Sequence, residues 1–195
     1  MKSSALVAVL AFSLASLSQA LRADDVIDSV DEAMQAYKAG DYATAAASLD
    51  VAAQLIRQKR AETFTALLPA APSGWTAEDS TSSAAGAAML GGAVSAERQY
   101  NRGDSSVTVK LLTDSPMLAG VMMFMNNPVL MSSESGKLER IKGQKALFKH
   151  QDDSGEINIV VGGAMLVTIE GHGVTAAELK SFAEAIDFAK LAAAL

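Results

Sequence analysis

The chain has 195 residues, a formal net charge of −6 and a pI near 4.9, and half of its residues are hydrophobic. That length suits one full domain, or one domain with a small appendage, and the apolar content is ample for a core. The acidic balance excludes nucleic acid and anionic lipid surfaces as main partners, because both need clustered Lys and Arg; the lack of cysteine excludes disulfides, thiolate metal sites, a catalytic thiol and a lipidated cysteine.

Residues 1–20 read as a signal peptide. A positive charge at Lys2 precedes an apolar run from Ala5 to Leu17, and small residues stand at Ser18 and Ala20. The run is too short to anchor the chain permanently and has no polar face for water, so cleavage after Ala20 and a periplasmic or secreted product are expected. No later stretch reaches the roughly 18 apolar residues of a membrane span, so no integral anchor is expected in the mature form.

From Asp24 the apolar residues recur at helical spacing: Val26, Ile27, Val30, Met34 and Tyr37, with Asp24 or Asp25 as cap and Gly40 as terminator. A second helix begins after Asp41, carries Tyr42, Ala45, Leu49, Ala52, Ala53, Ile56 and Leu67 on one broad face, and stops before Pro69. The two helices predict an αα-hairpin over residues 21–68. With Tyr37-Lys38-Ala39-Gly40-Asp41-Tyr42 as the turn and Ala45, Leu49 and Ala52 at packing positions, residues 25–67 resemble a single degenerate tetratricopeptide unit. About three stacked repeats are needed to bury a continuous core. The pair is therefore expected to dock, in the first place on the rest of this chain and otherwise on a partner protein.

Residues 69–92 carry Pro69, Pro72, Gly74 and a Ser/Ala/Gly-rich stretch, and read as a linker with a short helical turn around 84–90. Trp75, the only tryptophan, is expected to plug hairpin against domain, with ligand stacking as the alternative.

Beyond Gly92 the period becomes two. Residues 94–100 and 106–112 predict a hairpin, with Val94, Ala96, Arg98 and Tyr100 on one face, Val107, Val109 and Leu111 on its partner's, and a turn at Asn101-Arg102-Gly103-Asp104. The Arg-Gly-Asp string inside it is what a tight turn asks for. Residues 137–141 and 144–150 read as two more strands, followed by a turn at Asp152-Asp153-Ser154-Gly155. For the last hairpin, a two-residue Gly162-Gly163 turn would put Ile157, Ile159 and Val161 on the opposite side of the sheet from Met165, Val167 and Ile169. A three-residue loop, Gly162 to Ala164, pairs 161 with 165, 159 with 167 and 157 with 169, and brings all six together. Thr175 and Glu178 then form a capping box for a helix carrying Leu179, Phe182, Ala183 and Ile186.

The fold class is α+β: an N-terminal αα-hairpin packed on or tethered to a mainly antiparallel sheet, with a buried Met-rich helix and a C-terminal helix. The order of elements over residues 74–195, with 93–195 as the domain proper, resembles the PsbP-like α/β/α sandwich, a fold that hosts no single activity.

The Met-rich segment, residues 116–131, is the unusual feature. Ser115 caps it, Pro116 starts it, Met117 to Met125 is apolar on every side, and Asn126-Asn127-Pro128 ends it; five of the nine methionines lie here. An all-apolar helix must be covered all round, so the first expectation is core. The second is a groove for a lipid-like or peptide ligand, or a self-association face, since methionine adapts to varied apolar surfaces. Cu(I) ligation is the third. Met117, Val121, Met122, Phe124, Met125, Met131 and Trp75 make the candidate binding surface.

Catalytic machinery is sparse. Glu170 and His172 share one face of a strand and suit a metal ion only if Asp152, Asp153 or His150 folds over them. No nucleophile elbow, phosphate loop, dinucleotide glycine pattern or paired-histidine metalloprotease motif is present, and the hairpin turn accounts for Gly103-Asp104-Ser105. The expected function is an exported non-enzymatic binding or interaction protein without cofactor or resident metal, whose partner is a protein or an apolar ligand. The alternative is a small periplasmic enzyme or metal-binding protein using His172, Glu170 and the Met-rich segment.

Overall fold

The computed structural model describes residues 21–84, 93–127 and 136–195. The expected signal peptide, the helical turn in the linker beyond Ala84 and Met131 lie outside the described residues. Two compact units are present, one ending at Ile56 and the other running Arg57–Leu195.

The first unit holds α1 (Leu21–Ala39) and the first part of α2 (Tyr42–Thr65). The start of α1 precedes the expected caps by several residues, so Asp24 and Asp25 fall inside the helix. Leu, Arg and Ala at its first positions are strong helix formers and extend it. Gly40 ends α1 in the left-handed region, at φ 78°, where the Asp41 amide donates to Ala36 O (2.9 Å) and the Gly40 amide to Tyr37 O (3.1 Å). Asp41 then caps α2, accepting from the Thr44 amide at 3.1 Å and the Thr44 hydroxyl at 2.7 Å, bonds that hold its carboxyl below the ordinary carboxylate range.

The helix faces differ from expectation. Burial falls on small residues, Ala33 on α1 and Ala45, Ser48 and Ala52 on α2, while Ile27, Met34, Tyr37, Tyr42, Leu49 and Ile56 are exposed. The buried positions continue through half-buried Val26, Ser29 and Ala36 on α1 and Leu55 on α2 at alternating three- and four-residue steps. The helices thus meet over a narrow alanine and serine seam, and the larger side chains flank it.

In the second unit β1 (Thr76–Ala77), β2 (Thr81–Ala84), β3 (Val94–Arg102), β4 (Ser105–Thr113), β5 (Lys137–Ile141), β6 (Gln144–Gln151), β7 (Ser154–Val161) and β8 (Met165–His172) form one antiparallel sheet in the order β1-β3-β4-β8-β7-β6-β5, with β2 also on β3. The short β1 and β2 lie within the expected linker; they are polar, lack alternation, and owe their strand form to the free edge of β3. In the β7–β8 hairpin Val161 pairs with Met165, Ile159 with Val167 and Ile157 with Ile169, the expected three-residue register. Gly162 and Gly163 supply the positive φ that loop needs. The β3–β4 turn is tighter than expected, because Arg102 still pairs with Ser105 and only Gly103-Asp104 is left to turn.

One face of the sheet carries the core: Val94, Ala96 and Tyr100, Val107, Val109 and Leu111, the six β7–β8 residues, Ala146, Phe148 and Ile141. Onto it pack the end of α2 through Ala61 and Phe64, then Trp75, then α4 (Ala176–Ala185) and α5 (Phe188–Ala193). Phe182 on α4 meets Trp75 edge-on at 5.1 Å and Tyr100 at 5.0 Å between ring centroids. Trp75 is therefore a core residue of the second unit. Arg102 stacks over its ring at 4.5 Å and bonds Glu178 at 2.5 Å, so the Arg-Gly-Asp string is tied down at its first residue. The Tyr100 hydroxyl donates to Pro69 O at 2.7 Å, which pins the chain leaving α2.

Close approach of α4 needs a gap in the sheet. Gly155 and Gly171 are cross-strand partners on the packed face, and a Cβ on Gly171 would stand 2.8 Å from Leu179 and 2.6 Å from Val174. Gly171→Ala is expected to lower stability by about 1–3 kcal/mol, read by denaturant melts, because the buried Val174 and Leu179 side chains must give way in a filled core. The Thr175–Glu178 capping box is formed as expected. The Thr175 amide, with Arg102 next, holds the Glu178 carboxyl at about 2, below its ordinary 4.5. A folded-state value below the unfolded one stabilises the fold above about pH 4.5 and is lost as pH falls toward 2. Acid titration of the melting temperature should therefore slope downward across that window, and more shallowly in Glu178→Gln.

Candidate binding surface

The Met-rich helix α3 (Pro116–Asn126) begins and ends where the sequence puts it. Ser115 accepts from the Met117 amide at 3.2 Å, Pro116 stands in the first turn, and the Asn127 amide donates to Phe124 O at 3.3 Å. Before it, Asp114 sits at φ 55° and accepts from Arg60 on α2 at 2.7 Å and from the Thr113 hydroxyl at 3.1 Å, which fixes where the helix leaves β4.

The helix is not the covered core element expected. Among its described residues Met125 alone is buried (7% exposed), Val121 and Met122 are half-buried, and Met117, Met123 and Phe124 are 64, 57 and 39% exposed. The reason lies in the layers. The core face of the sheet is already filled by α2, Trp75, α4 and α5, and α3 lies on the opposite face, where a helix gains cover on one side only. That face carries an apolar row at one end, Leu112, Leu166 and Val160, aligned by the β4–β8 and β7–β8 registers. Leu166 is fully buried yet stands apart from the main core cluster.

Between α3 and the Val160 end of this row is an open groove of about 390 Å3, with Met122, Met125 and Val160 as its apolar wall and Asn126, Gln144, Gly143, Gly162 and Gly163 around its rim. Two cations complete it. Arg140 and Lys145 are direct cross-strand partners on β5 and β6, and like charges in that relation repel. Arg140 donates to its own turn, at Gly143 O (3.2 Å), and among the described residues no carboxylate lies in ion-pair distance of either cation. Sequence reading passed over both residues; the symmetric spacing around the Lys142-Gly143 turn was the signal that sets them opposite.

Glu170 and His172 also lie on this second face, in a shallow groove of about 480 Å3 at the β6–β7 end, with Asp152, Asp153, Ser154, Glu156 and Lys149. His150 does not join them: it lies on the core face, stacks on Phe148 at 6.3 Å, and its Nε2 is 2.8 Å from Val174 O. Among the described residues no three His, Asp or Glu side chains are placed to hold a metal ion. Ser154 Oγ stands 3.3 Å from His172 Nδ1, yet it donates to Asp153, so the carboxylate orients the hydroxyl and not the imidazole, the reverse of a nucleophile relay. Among the described residues no helix is long and apolar enough to cross a membrane.

No protein-family model, no curated protein and no solved structure matches the chain.

Proposed function

We propose that the chain is an exported, non-catalytic binding protein. Its contacts are made by the α3 surface and by the helical hairpin, and the α3 groove takes a lipid-like or peptide ligand with an apolar body and one anionic end. The observation that carries this reading is the groove itself: methionine and valine on one wall, and on the other two repelling cations that have no acidic partner among the described residues. An anion between Arg140 and Lys145 relieves their repulsion, while Met122 and Met125 shape themselves to the apolar body. This need of one anion is local and agrees with an acidic surface elsewhere. Helices on both faces of the sheet support the PsbP-like likeness, and the glycine-capped turn with its small buried residues supports the tetratricopeptide likeness.

Laurate titrated into the protein by calorimetry should bind at one site, and dodecanol about tenfold more weakly. Arg140→Gln with Lys145→Gln should erase that preference, and Met122→Glu should remove binding of both. Equal affinity for acid and alcohol in the parent protein, or no uptake of either, overturns the groove. Export is checked separately: protein recovered from the native envelope should begin at Leu21, and an N-terminus still at Met1 would contradict it.

A further inference from the structure

The hairpin carries the largest apolar surface that the described residues leave open. Ile27, Val30, Met34 and Tyr37 recur on α1 in three-, four- and three-residue steps, and Tyr42, Leu49 and Ile56 on α2 are seven apart. The rings of Tyr37 and Tyr42 meet edge-on at 5.6 Å, so both rows lie on the same side of the hairpin and join at its turn. All seven are exposed, Ile27, Tyr37 and Leu49 by 60, 66 and 53%. Together they present roughly 700 Å2, above the roughly 300–600 Å2 of the largest patch on a typical monomer.

We infer that a second copy of this chain covers this face, the two hairpins closing into an antiparallel four-helix bundle. The inference rests on the reading above only in treating the hairpin as a contact surface. Three observations select the occupant. The core cluster of the second unit takes its members from Ala61 onward, so none of the seven residues of this face belongs to it. Two such faces bury roughly 1,400 Å2, within the range of about 1,200–2,000 Å2 typical of stable complexes. The heptad spacing on α2 is that of a helix meeting another helix along its length. Charge agrees. The first half of α1 bears Asp25, Asp28, Asp31 and Glu32, the latter part of α2 bears Arg57 and Lys59, and among the described residues no ion pair joins the two helices. A two-fold axis parallel to the helices lays each α1 against the other copy's α2 and brings its acidic half toward that basic end.

Light scattering and sedimentation equilibrium on the purified protein should give twice the chain mass. Ile27→Asp and Leu49→Asp should each weaken the dimer about tenfold or more while circular dichroism keeps its helix signal, because each places an unpaired charge in the interface. Val51→Asp, an exposed residue off the two rows, should leave the dimer intact. If the charged variants do not fold, Ile27→Gln with Leu49→Gln gives the same comparison. A dimer that survives both substitutions, or one that Val51→Asp also disrupts, overturns the inference. So does a monomer at every concentration: a Tm lowered by Ile27→Asp then assigns the cover to the rest of this chain, and an unchanged Tm assigns it to a different protein. Laurate binding in the Ile27→Asp protein should equal the parent's, so failure of the dimer and failure of the groove are read apart.

Discussion

The second unit depends on how closely α4 approaches the sheet. Leu179 and Phe182 sit fully buried against strands whose side chains are otherwise large, and the approach is possible because Gly155 and Gly171 leave a notch shared by two neighbouring strands. From that seat follow the ring cluster of Phe182, Trp75 and Tyr100, the anchoring of the chain after α2 through Tyr100 and Pro69, and the clamp of Arg102 between Trp75 and Glu178. Turn, helix cap and linker are thus held by one packing event. It also fills the core face, and so leaves α3 no place but the other side.

That division explains what the sequence disclosed. Parity along β7 and β8 decided the loop length and register, because the wrong choice would have put three apolar side chains on the polar face. The caps at Thr175, Ser115 and Gly40 were legible because each is a local arrangement of a few residues. Cover is different. Periodicity says which side chains share a helix face, not whether another layer reaches that face. Ile27, Met34 and Tyr37 on α1 and Met117, Met123 and Phe124 on α3 therefore read as core while standing in solvent.

The candidate groove was legible by half for the same reason. Its methionines stood out by composition, whereas Arg140, Lys145 and Val160 come from three strands and converge only through sheet order, which no local pattern encodes. Glu170 and His172 show the converse: their shared strand face was read correctly and Asp152 and Asp153 line the same groove, but His150, the third candidate, belongs to the opposite face by strand parity, and among the described residues no three such side chains are placed to hold a metal ion.

The two outer borders of the sheet are handled in different ways. On one, β1 and β2 cover β3 in two short pieces, and neither offers a long ladder of its own to a passing chain. On the other, β5 spans only five residues and sets Lys137, Glu139 and Arg140 along its length. Short, charged or doubly covered borders of this kind work against growth of the sheet by strand addition and against fibrous stacking.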